Sequence, residues 1–395
     1  MSEWTPYQTN HLFLLVGRNP LPNYVAARLL LQPAGTLHLL HSAGPLGTGQ
    51  VAQNLMAHFP ENNPQLIPVD SRDIADIRRQ AERYLECLSP GSVGLNYTGG
   101  TKIMAVQTYR LIEEFCRRRG REAVFSYLDA DTLEMSVDPQ PGHRAFRHKV
   151  ALEVTLSIED LYNLHGIRLV GQPQIDPRLP DLARALAQMH GTSAGIQAWR
   201  KSRQVLKSCD GRLWREVKAE LIQIGTTSEV ITLLEKALAL EDSKPVSLRT
   251  AAREAGFKSS RALLLWLIGF WLEHWALACI RDLGYKHRAQ GLTGMTSRRF
   301  EIDVAVMRGY QLFALSCGVT DDHRRAKLKL LEIYTRAMQI GGDEARVGLV
   351  CAVDDPHGLE QEIASDWGSA NRVCVFGHKH WPELQVHFKR WFETV

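Results

Sequence analysis

Two groups of residues in this chain carry the means for chemistry. The first is Asn96-Tyr97-Thr98-Gly99-Gly100-Thr101-Lys102, between a short apolar run, Ser92 to Leu95, and a helical pattern, Ile103 to Phe115. A Gly pair between strand and helix lets the backbone turn tightly and leaves N–H groups facing outward. Thr98 and Thr101 add hydroxyls and Lys102 adds a positive charge. That inventory suits an anionic, hydroxyl-bearing ligand such as a nucleotide, and a plain strand-to-helix turn is the competing account. It is not a Walker loop, because the G-x-x-x-x-G-K-[ST] spacing is absent.

The second group is acidic. Glu273 lies in the long apolar pattern Arg261 to Arg281, among Leu263, Trp266, Leu267, Trp271 and Trp275. A carboxylate there costs several kcal/mol if buried alone, so it needs a partner, a metal or a cleft. His274 beside it reads as a satisfied or surface histidine. Downstream, Phe300 to Val306 alternates with period two, which puts Glu301 and Asp303 on one face and Phe300, Ile302, Val304 and Val306 on the other. Arg308-Gly309-Tyr310 makes a turn and Leu312 to Cys317 returns, which brings Ser316 near Asp303. The helix from His323 to Ile340 carries Lys327, Lys329 and Glu332, the last two being neighbours on one face or simply part of a solvated one.

The elements that must position these groups follow from the pattern. Strands are expected at 11–17, 37–41, 66–69 and 92–95, each followed by a helix (24–31, 50–59, a third reaching Leu88, and 103–119), with a hairpin at 123–137. Such alternation indicates a parallel, Rossmann-like sheet, whose ligands bind beyond the C-terminal strand ends. Three polar loops leave that edge, Gly17–Asn23, Ser42–Thr48 and Asn96–Lys102, with Thr48 a candidate helix cap. Pro139, Pro141 and Gly142 mark a boundary; a short strand is expected at 151–156 and a helix at 158–164. Residues 181–240 read as mainly helical around Trp199 and Trp214. The A-x-x-x-G-F shape in 247–257 is that of a half helix-turn-helix, but the following helix is too apolar to read a DNA groove. Strands at 345–353 and 373–376 and a helix at 382–392 close an α/β domain, with His378, Lys379, His380 and Arg390 as surface charge or phosphate contacts.

Composition sets the limits. A chain of 395 residues exceeds one core, and 45% hydrophobic with 23% charged residues is ordinary for a soluble protein. A net charge of +4 permits nucleic-acid contact without demanding it. Seven cysteines without a C-x-x-C pair point to reduced thiols and a cytoplasmic location, and no zinc-type cluster is present. The start, Met-Ser-Glu-Trp, lacks a signal-peptide pattern, and the longest apolar run, 262–272, is shorter than the roughly 18–20 residues of a membrane span.

The Gly17-Arg18-Asn19-Pro20 loop together with Asn-Tyr-Thr-Gly-Gly-Thr-Lys after the fourth strand resembles the CARF domain of CRISPR-associated effectors. That resemblance implies a homodimer binding a cyclic oligoadenylate (tetra- or hexa-adenylate) across its two-fold axis, through Gly17, Arg18, Asn19, Ser42, Thr98, Gly99, Thr101 and Lys102. The helix acid Glu273, the Glu-Ile-Asp strand and the Ser-Cys return strand resemble the PD-(D/E)XK nuclease domain of CARF-linked nucleases, which implies Mg²⁺ or Mn²⁺ and a DNA or RNA substrate. Ser316 stands where that family has a second acid, and Gly318 where it has Lys. Either catalysis is lost or the groups have moved to the next helix, with Glu273, Asp303 and Glu332 holding the metal and Lys329 or Lys327 serving the phosphate. The expected organisation is α/β throughout. A CARF sensor spans 1–140, a helical connector 141–255 and a restriction-endonuclease-like α/β domain 256–395. The function implied is a type III CRISPR effector whose nuclease answers to the cyclic ligand. A ligand-controlled nucleic-acid binder with a degenerate nuclease fold is the alternative.

Overall fold

A computed structural model describes residues 3–138, 145–208, 212–240, 246–296, 299–367 and 372–394. The expected boundary residues Pro139, Pro141 and Gly142, and Cys209, lie outside these. The first half forms a seven-stranded sheet from β1 Thr9–Val16, β2 Leu31–Ser42, β3 Gln65–Val69, β4 Val93–Asn96, β5 Ala123–Leu128, β6 Glu134–Val137 and β7 Phe146–Lys149. Its order is β3-β2-β1-β4-β5-β6-β7, parallel through β5 and antiparallel thereafter. The strand order therefore reverses between β1 and β4, and the loops leaving these two strands flank the crevice where such sheets bind ligands. The helices α1 Leu21–Leu30, α2 Gly49–Ala57, α3 Ile74–Glu86 and α4 Lys102–Arg119 cover the sheet. α1 starts three residues earlier than expected, because Pro20 and Pro22 fall at its cap and first turn, where a missing N–H costs nothing.

Two expectations about the middle of the chain change. The sheet runs past position 140, since β7 pairs with β6 over Glu134–Val137 and Phe146–Lys149. The strand expected at 151–156 is a turn followed by extended chain that packs on the tip of the later hairpin, where Leu156 N–H donates to Gly309 C=O at 3.1 Å. It joins neither sheet.

After α5 Ile158–Leu164 comes the short β8 Arg168–Leu169, then the helices α6 Pro180–His190, α7 Ser193–Lys207, α8 Trp214–Gln223, α9 Ser228–Ala237, α10 Leu248–Glu254 and α11 Ser260–Leu265. A π-helical turn, Trp266–Phe270, joins α11 to α12 Trp271–Asp282. The combined helix, Ser260–Asp282, is 23 residues long and apolar enough to cross a membrane by length and composition, yet 72% of its most apolar stretch is buried inside the protein. It is a core helix, as its indole content suggested, and its partner α10 therefore presents no groove-reading helix.

The second sheet comprises β8, β9 Arg288–Met295, β10 Arg299–Arg308, β11 Gln311–Gly318, β12 Arg346–Cys351 and β13 Val373–Phe376, in the order β13-β12-β11-β10-β9-β8. Strands β11 to β13 are parallel and the others antiparallel. α13 His323–Gly341 and α14 Pro356–Trp367 make the crossovers, and α15 Leu384–Glu393 ends the fold. β9 has no apolar alternation in the sequence. Its Gly294 lies opposite Phe300, whose ring fills the space a side chain there would need.

One hydrophobic core is continuous from the first sheet to the second: Leu12, Leu14 and Val16 belong to the same cluster as Ile302, Leu312 and Leu330. A second core packs α6–α12, including Trp199, Trp214 and Trp271, onto the other face of the second sheet.

Candidate functional site

At the first sheet's edge, the loop after β4 lies directly on the end of β1. A Cβ at Gly99 would sit 2.2 Å from the Leu15 carbonyl oxygen and one at Gly17 3.2 Å from the Gly100 nitrogen, while Gly100 has φ +73°. Only glycine permits this approach, so the pair brings Gly17–Arg18 beside Gly99–Lys102. Thr101 caps α4, its hydroxyl accepting from Met104 N–H at 3.2 Å. The exposed α4 N-terminus, with Lys102 as its first residue, favours an anion. Arg18 and Lys102 are both exposed to solvent at this edge.

Three other expected ligand contacts are already engaged. Thr98 accepts from Leu128 N–H at 2.7 Å, which ties its loop to β5. The Ser42 hydroxyl accepts from Thr48 N–H at 3.0 Å and lies 3.2 Å from the Thr48 hydroxyl. Thr48 does not cap α2 with its side chain; its hydroxyl donates to the Val16 carbonyl at 2.9 Å and so clips the loop after β2 to β1. Asn19 turns away from the edge and donates to Glu344 Oε2 at 2.8 Å, linking the two halves of the molecule. A cavity of about 640 Å³ opens between the loops after β2 and β3, lined by Ser42, Gly44, Leu46, Asp70 and Arg72. Among the expected ligand residues only Ser42 lines it; Asp70 and Arg72 have no signal in the sequence beyond their place at the edge.

The acidic group assembles on the second sheet. Glu273 on α12 is 9% exposed, and Gln290 on β9 donates to its Oε2 at 3.0 Å. Burial, and next the Asp303 charge, raise the Glu273 carboxyl from its usual range to about 8. Asp303 Oδ2 accepts from the Ser316 hydroxyl at 2.9 Å and from Cys317 N–H at 2.7 Å. The ladder between β10 and β11 runs from Arg308–Gln311 to Val304–Leu315 and stops there, so this carboxylate takes up an N–H just beyond the last rung. The expected alternation also changes phase at Asp303. Phe300 and Ile302 share a core with Ala305 and Met307, whereas Val304 and Val306 pack in the other. Gly291, opposite this point on β9, has φ +63°.

The expected helix groups separate. Lys329 reaches the site: its ammonium donates to the Cys317 carbonyl at 3.3 Å, and it acts on Glu273 by lowering its pKa. A Cβ built at Gly318 would lie 3.1 Å from Lys329 Cε and 3.4 Å from its Nζ. The helix lysine thus occupies the space that a strand side chain at Gly318 would enter. Lys327 instead pairs with Glu362, and Glu332 is exposed and absent from the charges that act on Glu273. Among the described residues no cluster of three or more His, Cys, Asp and Glu side chains is disposed to hold a metal ion, so the expected Glu273–Asp303–Glu332 triad does not form. Gln290 was hidden from sequence reasoning because β9 was. His274 is buried and accepts from Arg178 N–H at 2.9 Å. His378 is neither a surface charge nor a phosphate contact: it is buried between the His190 carbonyl and Asp354, at 3.0 Å from each.

Two solved structures share this fold across nearly the whole chain. Can2 from Sulfobacillus thermosulfidooxidans, solved in complex with cyclic tetra-adenylate, matches with a TM-score of 0.68 at 15% sequence identity, over 97% of this chain and 99% of that one. The protein VC1899 from Vibrio cholerae matches with a TM-score of 0.64 at 15% identity, over 97% and 98%. The two-sheet α/β architecture is therefore one that these proteins also adopt. No protein-family model and no curated protein sequence matches the chain.

Proposed function

We propose that this chain is a cyclic-oligoadenylate-responsive effector of type III CRISPR defence, acting in the cytoplasm as a homodimer. The first sheet's edge holds the ligand, and the second sheet's site cleaves DNA or RNA. The ligand half rests on the glycine-built contact between the loops after β1 and β4, and on a shared fold with a protein that binds cyclic tetra-adenylate. The nuclease half rests on Lys329, whose amine fills the space beside Gly318 within reach of the Glu273–Asp303 pair.

Two carboxylates suffice for Mg²⁺ or Mn²⁺, which commonly keep several waters. Glu273 and Asp303 would hold the ion, and its chemistry would be to polarise the phosphoryl oxygen and lower the pKa of a bound water. Asp303 is fixed for that task by Ser316 and Cys317 N–H, and Glu273 by Gln290. Lys329 supplies the positive charge that the developing phosphorane requires, from a helix rather than from the strand. Ser316, in place of a third carboxylate, favours a second reading in which the site binds nucleic acid without cutting it.

Incubation with cyclic tetra- or hexa-adenylate, Mn²⁺ and labelled DNA and RNA separates the two. Ligand-dependent cutting that Asp303→Ala abolishes is the expected result. Ligand-dependent, salt-sensitive binding without cutting establishes the second reading; neither cutting nor binding overturns both.

A further inference from the structure

A cavity of about 470 Å³ lies between α7 and the segment joining β11 to α13. It opens at the C-terminal ends of β11 and β12, where Thr320 and Ala352 form part of its wall. Four cations line it, Arg200, Arg203, Lys207 and Arg325, against two carboxylates, Asp321 and Asp322. Both carboxylates have other tasks. Asp321 pairs with Arg200 at 2.5 Å, and Asp322 caps α13, accepting from Arg325 N–H at 2.8 Å. Among the described residues no carboxylate pairs with Arg203, Lys207 or Arg325, and Arg203 is half-buried. Its guanidinium pKa is lowered by burial and then by Arg200.

Two buried groups form part of the same wall. Trp199 is 1% exposed and its indole N–H has no partner. His190 is fully buried; its Nδ1 donates to the Leu186 carbonyl at 2.6 Å, and its Nε2 is unpartnered. Neither the Trp199 N–H nor His190 Nε2 is reachable from the cavity, and the latter is an acceptor, so any contact with a ligand falls to the charged side chains. The guanidiniums supply the fork that fits a phosphate in two-point contact. Trp199 is covered, and the cavity exposes no aromatic face on which a base could stack. The contact is therefore with the phosphate and carries no sequence information.

The position of the cavity gives the phosphate its context. Arg325 and Lys329 stand four residues apart on α13 and so share a face, about 5–6 Å apart at their Cβ atoms. Arg325 lines the cavity and Lys329 faces the acid pair. One row of positive charge thus runs from α7 through Arg325 to the carboxylates.

We infer that Arg203, Lys207 and Arg325 form a backbone-phosphate subsite that holds a nucleic-acid strand next to the position of cleavage. The inference rests on the nucleic-acid reading of the second sheet, but not on catalysis. Binding of a fluorescent 20-nucleotide single strand to the full chain tests it, in EDTA, with and without cyclic tetra-adenylate, across a salt series. Arg203→Gln, Lys207→Gln and Arg325→Gln should each flatten the log–log salt slope by about 0.7, and the triple variant should bind at least about tenfold more weakly. Arg203→Lys should keep the slope, and the exposed positions 207 and 325 keep the test valid if position 203 affects folding. A folded triple variant with unchanged affinity and slope overturns the subsite, whether or not the protein cuts. A flattened slope in a chain that never cleaves retains the subsite and removes only the nuclease reading. ADP binding as tightly as the oligonucleotide, and lost in the same variants, overturns the polymer assignment in favour of a free nucleotide.

Discussion

Glu273 keeps its proton to about pH 8 because burial and the Asp303 charge both disfavour its anion. A divalent cation must displace that proton, so Mn²⁺ affinity should rise between pH 6.5 and 8, with proton release visible as a buffer-dependent heat in calorimetry. Asp303→Asn should weaken Mn²⁺ binding about 100-fold or more. Affinity that is independent of pH, or that survives the Asp303 change, would remove the metal from this pair. The neighbouring lysine gives a sharper test. A methyl group at Gly318 would crowd Lys329 Cε at 3.1 Å, and a flexible side chain yields to such contact at little cost in stability. Gly318→Ala should therefore lower the cleavage rate about tenfold while leaving the melting temperature nearly unchanged, and Lys329→Ala should lower it about 100-fold. Equal activity in both variants would show that the amine is a bystander.

At the scale of elements, the loop after β1 is tied to the second sheet rather than left free. Asn19, one residue beyond Arg18, donates to Glu344, whose carboxyl burial lifts from 4.5 to about 7. Glu344 is wholly buried in the 3-10 turn before β12, and Arg346 beside it donates to the Asp131 carbonyl in the β5–β6 turn at 3.3 Å. Below about pH 4.5 both the folded and unfolded chains hold this proton, and Glu344 has no effect on stability. As pH rises toward 7 the unfolded chain ionises first, and stability falls by on the order of 3 kcal/mol once the folded carboxyl has also ionised. Glu344→Gln should flatten this loss between pH 5 and 7.5 and make the variant the more stable chain at pH 8. Denaturant titrations across that range would decide it; parallel profiles would show that Glu344 is not the titrating group.

For the molecule as a whole, the continuous core from Leu12 to Leu330 has a thermodynamic consequence. Separating the sheets would expose apolar surface on both, so this shared core couples the two halves even though each also has a core of its own. Differential scanning calorimetry should show one cooperative transition for the full chain rather than two resolved ones. Cyclic tetra-adenylate should shift the whole transition upward, because a ligand bound to the folded chain stabilises everything coupled to it. Two separate peaks, with only the lower moved by the ligand, would mean that the halves fold independently.

Much of this was legible in the residues themselves. The parallel strands, the Gly99–Gly100 turn, the Gly309 hairpin and the Asp303–Ser316 contact follow from local periodicity and backbone freedom, which a chain expresses wherever it folds. The buried Glu273 was conspicuous because a charge among indoles and leucines is costly anywhere. Tertiary structure alone settled the rest. β9 pairs with β10 along its length, with Phe300 covering Gly294, contacts between strands that leave no period in the sequence. Spacing on α13 made Lys327, Lys329 and Glu332 equal candidates, and only the packing of that helix against β11 turned Lys329 inward and left Glu332 in solvent. The Asn19 side chain meets Glu344, a partner 325 residues away that no local pattern announces. Sequence determines which groups are able to do chemistry; which of them meet depends on long-range packing, whose energy is shared over many weak contacts that no single motif records.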